Sequence, residues 1–600
     1  MTLIDDAPAV LEVAGLSVHA HRRDSPISIT DDIDIRVAAG EAVAIVGESG
    51  SGKSITARAL MHLLPKELTT EGELNLHGRS ISGISEAAMR KLRGTEIALV
   101  MQDPFTMLNP LETCGAQLTA VLRDENGKTL SRAERRSEAV RRLAEVGITD
   151  PAVAQRYPFE LSGGMRQRVG IAAAIAGKPR ILIADEPTTA LDVTTQSEIL
   201  ELLHQLRVTH GIALVLITHD LRVAFSVADR VYVMYAGEIV ETARSAMLDE
   251  APAHPYTANL LLAEPPLEHR VEKLAEIPGS VPAPGERPTG CRFAPRCTWA
   301  TQECTTAPVA LTEVDGDSSH VARCVRIDEI RASLSDRVPV IAGPRDESQD
   351  ARAQSPVITT RDAARTFGEK VAVVGATIEV RPGESVGIVG ESGSGKTTLA
   401  RMLVGLTRPS SGSVRVGGIE LAGSPSRAEW ETVRNTVQMV FQDPYSTLNP
   451  SRSIGSTLRD ALRMVSTSDL DNRVGELLER VGLPTHYARR MPVQLSGGER
   501  QRVSIARGLA REPDVLVCDE VVSALDVSVQ ARVLNLLRDL QRDTGLGFVF
   551  ITHDLAVVRQ MTDRVYVMNR GVVVEHGNTD DVLDSPTDAY TQRLLASIPR

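Results

Sequence analysis

The chain has 600 residues, too many for one hydrophobic core, so at least two domains are expected. With 42% apolar and 24% charged residues it reads as an ordinary globular protein, and no run of about 18 apolar residues offers a membrane span. A formal charge of −12 with only 3% aromatic residues speaks against direct nucleic-acid binding.

The amino terminus carries Asp5 and Asp6 and no long apolar stretch, so no signal peptide is expected. The expected compartment is the cytoplasm, where thiols stay reduced, and six cysteines then argue against a disulfide framework.

In chain order, Val13 to Val18 reads as a short strand and Ala42 to Val46 as a buried one. The second runs into Gly47-Glu48-Ser49-Gly50-Ser51-Gly52-Lys53-Ser54, which fits G-x-x-x-x-G-K-[ST], and Ile55 to Leu64 reads as the helix that this phosphate-cradling loop requires. The glycines allow a tight turn that aims successive N–H groups at a β-phosphate, and the helix N-terminus adds its dipole. Lys53 is placed to reach the β- and γ-phosphates and Ser54 to hold Mg²⁺. A strand near Ile97 to Met101 leads into Gln102-Asp103-Pro104-Phe105-Thr106-Met107-Leu108-Asn109-Pro110. Ser131 to Val146 has the periodicity of an amphipathic helix. Leu161-Ser162-Gly163-Gly164-Met165 is at least a helix cap; with its hydroxyl and backbone N–H groups it is also a second anion site. The buried strand Ile181 to Ala184 ends in Asp185, which can hold Mg²⁺ through water, and Glu186, which can polarise a water aimed at the γ-phosphate. A further strand ends in Thr218-His219-Asp220.

His254 to Cys324 is a proline-rich appendix with four cysteines, Cys291, Cys297, Cys304 and Cys324, spaced C-x5-C-x6-C-x19-C. That is neither the usual zinc spacing nor the ferredoxin run. Four thiols in a loop-rich segment with little core of its own still suggest a metal. Four thiolates without a well-spaced histidine suit iron–sulfur or zinc, and the spacing leaves the two open. His320 is expected at the surface, and Cys114 and Cys518 as small buried hydrophobes. Residues 327–355 are polar and read as a flexible linker.

The second half then repeats the first. Val357 to Thr360 opens it, followed by Gly390-Glu391-Ser392-Gly393-Ser394-Gly395-Lys396-Thr397, Gln442-Asp443-Pro444-Tyr445-Ser446-Thr447-Leu448-Asn449-Pro450, Leu495-Ser496-Gly497-Gly498-Glu499, Asp519-Glu520 and Thr552-His553-Asp554. Ser162, Glu186 and His219 recur at a constant spacing of 334 (496 − 162), whereas the P-loops are 343 apart (390 − 47), as small insertions in a duplicated domain would give. No cysteine appendix follows the second half, which ends soon after Tyr590-Thr591. Alternating strands and helices imply an α/β fold with a mainly parallel sheet and ligand chemistry at the carboxyl ends of its strands.

Both halves resemble the nucleotide-binding domain of ATP-binding cassette (ABC) proteins, over nearly the whole chain. The matching features are Walker A, a Q-loop glutamine, the LSGG signature, Walker B with its glutamate, the D-loops Ala190-Leu191-Asp192 and Ala524-Leu525-Asp526, and the switch histidines. The resemblance implies two tandem P-loop NTPase domains, each with a helical subdomain, at residues 8–253 and 356–600, with the appendix at 254–326 and the linker at 327–355. It also implies head-to-tail closure on two ATP molecules. One site would use Lys53, Ser54, Gln102, Asp185, Glu186 and His219 with Ser496, Gly497 and Gly498. The other would use Lys396, Thr397, Gln442, Asp519, Glu520 and His553 with Ser162, Gly163 and Gly164. Ser54, Gln102, Thr397 and Gln442 are the implied Mg²⁺ ligands, and Glu186, His219, Glu520 and His553 the catalytic groups. Met165 and Glu499 replace the commoner glutamine after the signature, and Val521 replaces a proline after Glu520. An adenine-stacking aromatic is expected before each P-loop: Phe367 fits in the second half, while the first offers His19 and His21.

The Asp-Pro-Phe/Tyr-x-x-Leu-Asn-Pro segments, His254-Pro255-Tyr256-Thr257, Ile277-Pro278-Gly279 and Cys291-Arg292-Phe293-Ala294-Pro295-Arg296-Cys297 are similar to the oligopeptide/dipeptide/nickel permease branch of ABC importers, where the cysteine pattern resembles one that holds a [4Fe–4S] cluster. This resemblance implies an ATPase peripheral to the cytoplasmic face of the membrane. It would energise peptide import with two permease subunits docked near Gln102 and Gln442 and an extracytoplasmic solute-binding protein. Import of glutathione, nickel or another small solute by the same machinery stays open. The rival reading is a soluble tandem ABC ATPase acting on ribosomes or DNA.

Overall fold

The computed structural model describes residues 8–21, 26–122, 128–189, 191–335, 340–342, 355–443, 447–465, 468–523 and 525–598. Ala190, Ala524, Pro444, Tyr445, Ser446 and most of the linker lie outside these residues.

The first half is built on the strand Ala42–Val46, whose five residues are all buried. It lies between Ala213–Thr218 and Arg230–Tyr235, parallel to both. Ile181–Asp185 and Ile97–Val100 extend the parallel array beyond Ala213–Thr218. Strands covered on both faces need continuous apolar runs, and these carry them. Consequently Gly47, Gln102, Glu186 and His219 all follow the carboxyl ends of adjacent strands, where open α/β sheets place their ligands. An antiparallel sheet of Ile27–Ala38, Ala9–Ala20, Leu68–Leu76 and Arg79–Ser80 flanks this core. The helix Arg132–Glu145 starts at Ser131 through a capping box with Glu134 and ends at Val146, as the periodicity predicts.

The second half repeats the strand order: Val437–Val440, Val515–Asp519, Gly547–Thr552, Ser385–Val389, Arg564–Asn569 and Val572–Asn578. In the first half two appendix strands prolong the sheet. Asp317–Ala322 pairs with Glu238–Arg244, and Thr312–Val314 pairs with Asp317–Ala322. The appendix thus shares the first half's hydrogen-bonded sheet.

Residues 327–335 differ from the linker expectation. Ile327–Ser335 is a helix whose Ile330 and Leu334 pack with Ala258, Trp299 and Cys324. Its spacing of apolar residues is helical, but it is too short to stand out from the polar run that follows.

The appendix also ties the halves together. Asn535, on the helix Val527–Thr544, exchanges two hydrogen bonds with the backbone of Leu274. Arg538 donates to the carbonyls of Val271 and Glu272, Arg532 to those of Ile277 and Gly279, and Gln560 to those of Pro266 and His269. Val271, Leu274 and Ile277 are fully buried in one apolar cluster that continues into Leu534 and Leu537 of the second half. Among the described residues no helix is long and apolar enough to cross a membrane.

Candidate functional site

In both halves the P-loop glycines sit where a side chain cannot. Gly47 has φ 149°, and a Cβ there would fall 2.1 Å from the carbonyl oxygen of Met234; Gly390, at φ 146°, meets Met568 in the same way. The loop ends at Gly52, the N-cap of the helix Lys53–Leu60, as Gly395 caps Lys396–Leu403. The Lys53 ammonium donates to the carbonyls of Gly47 (2.6 Å) and Glu48 (3.1 Å), and Lys396 to those of Gly390 (2.7 Å) and Glu391 (2.8 Å). Burial pushes the pKa of both lysines down, while the neighbouring carboxylates, Glu186 and Glu520 foremost, pull it up.

The acid pair joins this loop as the spacing implies. Ser54 Oγ donates to the Asp185 carboxylate at 3.0 Å, and Thr397 to Asp519 at 3.4 Å. Burial, then the charge of Glu520, raises the Asp519 carboxyl to about 6. These hydroxyl–carboxylate pairs beside a lysine are the oxygen donor set that Mg²⁺ prefers. Gln102 Nε2 donates to Glu186 at 2.6 Å, and Gln442 donates to Glu520. His219 Nδ1 lies 3.4 Å from Glu186, and His553 Nδ1 lies 3.5 Å from Glu520. Burial works against the charge of Glu186, but its bond to His219 and that ring's charge hold the carboxyl below the usual range. Both glutamates adopt left-handed backbone, φ 46° and 48°. Strain of this kind on a non-glycine residue concentrates at functional sites. The left-handed turn separates Glu186 from Asp185, so that one faces Ser54 and the other Gln102 and His219.

A cavity of about 320 Å³ fronts the second P-loop, lined by Phe367, Lys396, Thr397, Gln442, Glu520 and His553, with Leu191 and Asp192 from the first half. Phe367, the expected adenine-stacking ring, is part of this lining, with the Arg365 guanidinium over its ring at 4.6 Å. In the first half His19 faces Glu71 at 3.8 Å instead, and the hairpin loop that follows includes residues outside those described.

Across the interface the D-loops make the contact. Ser49 N–H donates to Asp526 and Ser392 N–H to Asp192, both at 3.3 Å. Ser162 and Ser496 cap their own helices, accepting from the N–H groups of Met165 and Glu499. Gly164 and Gly498 allow close approach to Thr195 and Val529, which a Cβ would meet at 2.7 and 2.1 Å. Among the described residues no hydrogen bond joins either signature segment to the opposite P-loop.

The four appendix cysteines line one cavity of about 20 Å³ with His254, Phe293 and Trp299. Burial raises the thiols of Cys291, Cys297 and Cys324 to about 11. Among the described residues no three His, Cys, Asp or Glu side chains are gathered closely enough to hold a metal ion. His320 is not at the surface: it is 1% exposed and lies 2.8 Å from the fully buried Glu241, which also accepts the N–H groups of Ala253 and His254. His320 lies within the strand Asp317–Ala322, and an isolated histidine there gave the sequence no sign of that partner, 79 residues away. Cys114 and Cys518 are fully buried, as expected.

Sequence reasoning missed two sets of residues around the P-loops. Tyr256 Oη accepts the N–H of Glu48 and Tyr590 Oη that of Glu391, at 2.8 and 2.9 Å. Their shared spacing of 334 (590 − 256) was the available signal. Arg296 grips the Glu48 carboxylate through both terminal nitrogens, and its position in the sequence gives no hint of this.

Comparison with known proteins agrees with this geometry. The ABC transporter family matches residues 30–189 and 373–523. The oligopeptide/dipeptide transporter C-terminal region matches 240–304 and, as a shorter copy, 574–600, so the second half carries the beginning of the same extension. The chain is 42% identical to the oligopeptide transport ATP-binding protein OppD of Mycobacterium tuberculosis over 98% of both chains. It is 40% identical to the glutathione import ATP-binding protein GsiA of Escherichia coli, over 99% of this chain and 90% of that one.

Proposed function

The chain belongs to the ABC transporter family of ATP-binding proteins, and from that premise we propose that it is the ATP-hydrolysing subunit of an importer for di- and oligopeptides. The observation that carries the reading is the pair of matching sites, each with glutamine and histidine on the glutamate and a P-loop hydroxyl on the neighbouring aspartate, joined through reciprocal D-loop contacts. Residues 8–253 and 356–600 act as the two nucleotide-binding units and 254–326 as the extension between them.

In each unit the backbone N–H groups and lysine bind the phosphates of ATP. Ser54 with Asp185, and Thr397 with Asp519, would hold Mg²⁺, with Gln102 and Gln442 completing the set; the ion neutralises phosphate charge when bound. Glu186 and Glu520, ionised and oriented by glutamine and histidine, take the proton of the attacking water. ATP contacts both halves only when they are closed, so it favours closure, and hydrolysis removes that advantage. Two permease subunits would receive this motion. Phe105 and Leu111, 62% and 84% exposed beside Gln102, and the groove of Leu406, Trp430, Phe441 and Met464 in the second half offer apolar docking ground. The subunit sits peripherally on the cytoplasmic face, and a solute-binding protein selects the cargo. Likeness to GsiA supports glutathione or another small solute as the second cargo class.

The four cysteines around one apolar cavity support a [4Fe–4S] cluster. Zinc held by the same four thiols is the alternative. The cluster would cross-link the appendix. Iron and acid-labile sulfide in protein purified without oxygen, and their loss in Cys297→Ser, test it; zinc or no metal would overturn it.

Fractionation separates the importer from the ribosome-bound alternative. A membrane pool released by detergent is expected, and sedimentation with ribosomes in its place would sink the reading.

A further inference from the structure

Glu48 occupies the first variable position of the first P-loop and is 4% exposed. Its carboxylate meets the Arg296 guanidinium in a two-point contact, Nη1–Oε2 at 2.7 Å and Nη2–Oε1 at 3.0 Å. Arg296 is itself 5% exposed, and it is held by the carbonyls of Pro278 and Ile277 and by Tyr235 Oη. The same carboxylate accepts the hydroxyl of Ser528, two residues beyond the D-loop Asp526 that meets Ser49. One buried carboxylate therefore joins the first P-loop, the cysteine-bearing extension and the second half.

The second site lacks this lock. Glu391 holds the matching position and its N–H meets Tyr590, as that of Glu48 meets Tyr256. Among the described residues its carboxylate has no ion pair, and it is partly exposed, so water screens its charge. A buried unscreened carboxylate beside a P-loop repels the polyphosphate that the loop must hold. A bidentate guanidinium cancels that charge and fixes the side chain.

We propose that Arg296 is a positioning residue of the first ATP site: by neutralising and pinning Glu48 it makes ATP binding there depend on the extension, while the second site does not. Arg296 immediately precedes Cys297, so whatever orders the cysteine segment also orders this guanidinium. The inference rests on the reading of two ATP sites.

The test uses the full chain carrying Glu186→Gln and Glu520→Gln, so that ATP binds without turnover. Radiolabelled ATP is titrated, and photolabelling with an azido-ATP followed by proteolysis between the halves assigns the sites. Adding Arg296→Gln is expected to weaken the first site at least tenfold and to leave the second within twofold. Arg296→Lys should recover part of the loss. Glu48→Gln with Arg296→Gln, which removes both charges, should bind more tightly than Arg296→Gln alone. Equal weakening of both sites, or no change at either, overturns the inference, as does a double variant no better than the single one. Should Arg296→Gln fail to fold, the comparison of Arg296→Lys with Glu48→Gln decides by the same site selectivity. If the parent binds fewer than two ATP per chain, it is the two-site reading that fails.

Discussion

The D-loop carboxylate of Asp526 accepts the P-loop N–H of Ser49 at 3.3 Å, and Asp192 accepts that of Ser392 at the same distance. Each phosphate-binding loop is therefore in contact with the opposite half. Asp526→Ala is expected to leave the fold intact and to lower ATP turnover several-fold, because a surface-level contact is lost while communication between the sites is weakened. Steady-state ATPase with circular dichroism as control checks this; unaltered turnover in both Asp526→Ala and Asp192→Ala would remove the D-loops from the account.

Removing the catalytic carboxylates separates binding from chemistry. The Glu186→Gln, Glu520→Gln double variant is expected to lose ATPase by a factor of at least about 100, the range for general acid–base groups. ATP affinity should survive, since neither glutamate is needed to hold the phosphates. Single variants should each retain part of the rate.

Gly47→Ala is expected to disable the first P-loop alone. It imposes a disfavoured backbone, worth about 1–3 kcal/mol, before the clash with the Met234 carbonyl is counted. Site-resolved photolabelling should show the second site still occupied. Labelling of the first site at the parental level would contradict the close approach described.

Between the halves, a cavity of about 180 Å³ gathers Glu264, Asp220, Arg222, Asp554 and both switch histidines. Burial, then Asp220, raises the Glu264 carboxyl from 4.5 to about 8, against the pull of Arg222 at 3.2 Å, with Asp554 adding to the rise. Glu268 also faces Arg222. The folded state holds this proton more tightly than the unfolded one, so stability drains away as pH rises from 4.5 through 8. Thermal midpoints of the parent should fall relative to Glu264→Gln across that window. Parallel curves would show that Glu264 stays ionised.

How much of this was legible in the sequence follows from how each contact is encoded. Local motifs fix their own geometry, so Gly47, Lys53, Asp185, Glu186 and His219 could be read from spacing and strand context. The duplication then placed their counterparts. The helix at Ile327–Ser335 was missed because its apolar spacing is too short to stand out from the polar run, and the burial of His320 because its partner Glu241 is distant in sequence and no local pattern announces it. The Arg296–Glu48 contact spans 248 residues and was invisible for the same reason. The cysteines were recognisable as a group, but only the fold shows that they surround one small apolar cavity.

The most direct measurement of the central claim is uptake of labelled di- and oligopeptides by cells lacking this chain, complemented with the parent or with the Glu186→Gln, Glu520→Gln variant. Uptake restored by the parent alone is the expected result and establishes peptide import driven by these two glutamates. If neither restores uptake although both proteins reach the membrane, the peptide assignment is contradicted; if both restore it, hydrolysis at these sites does not drive transport.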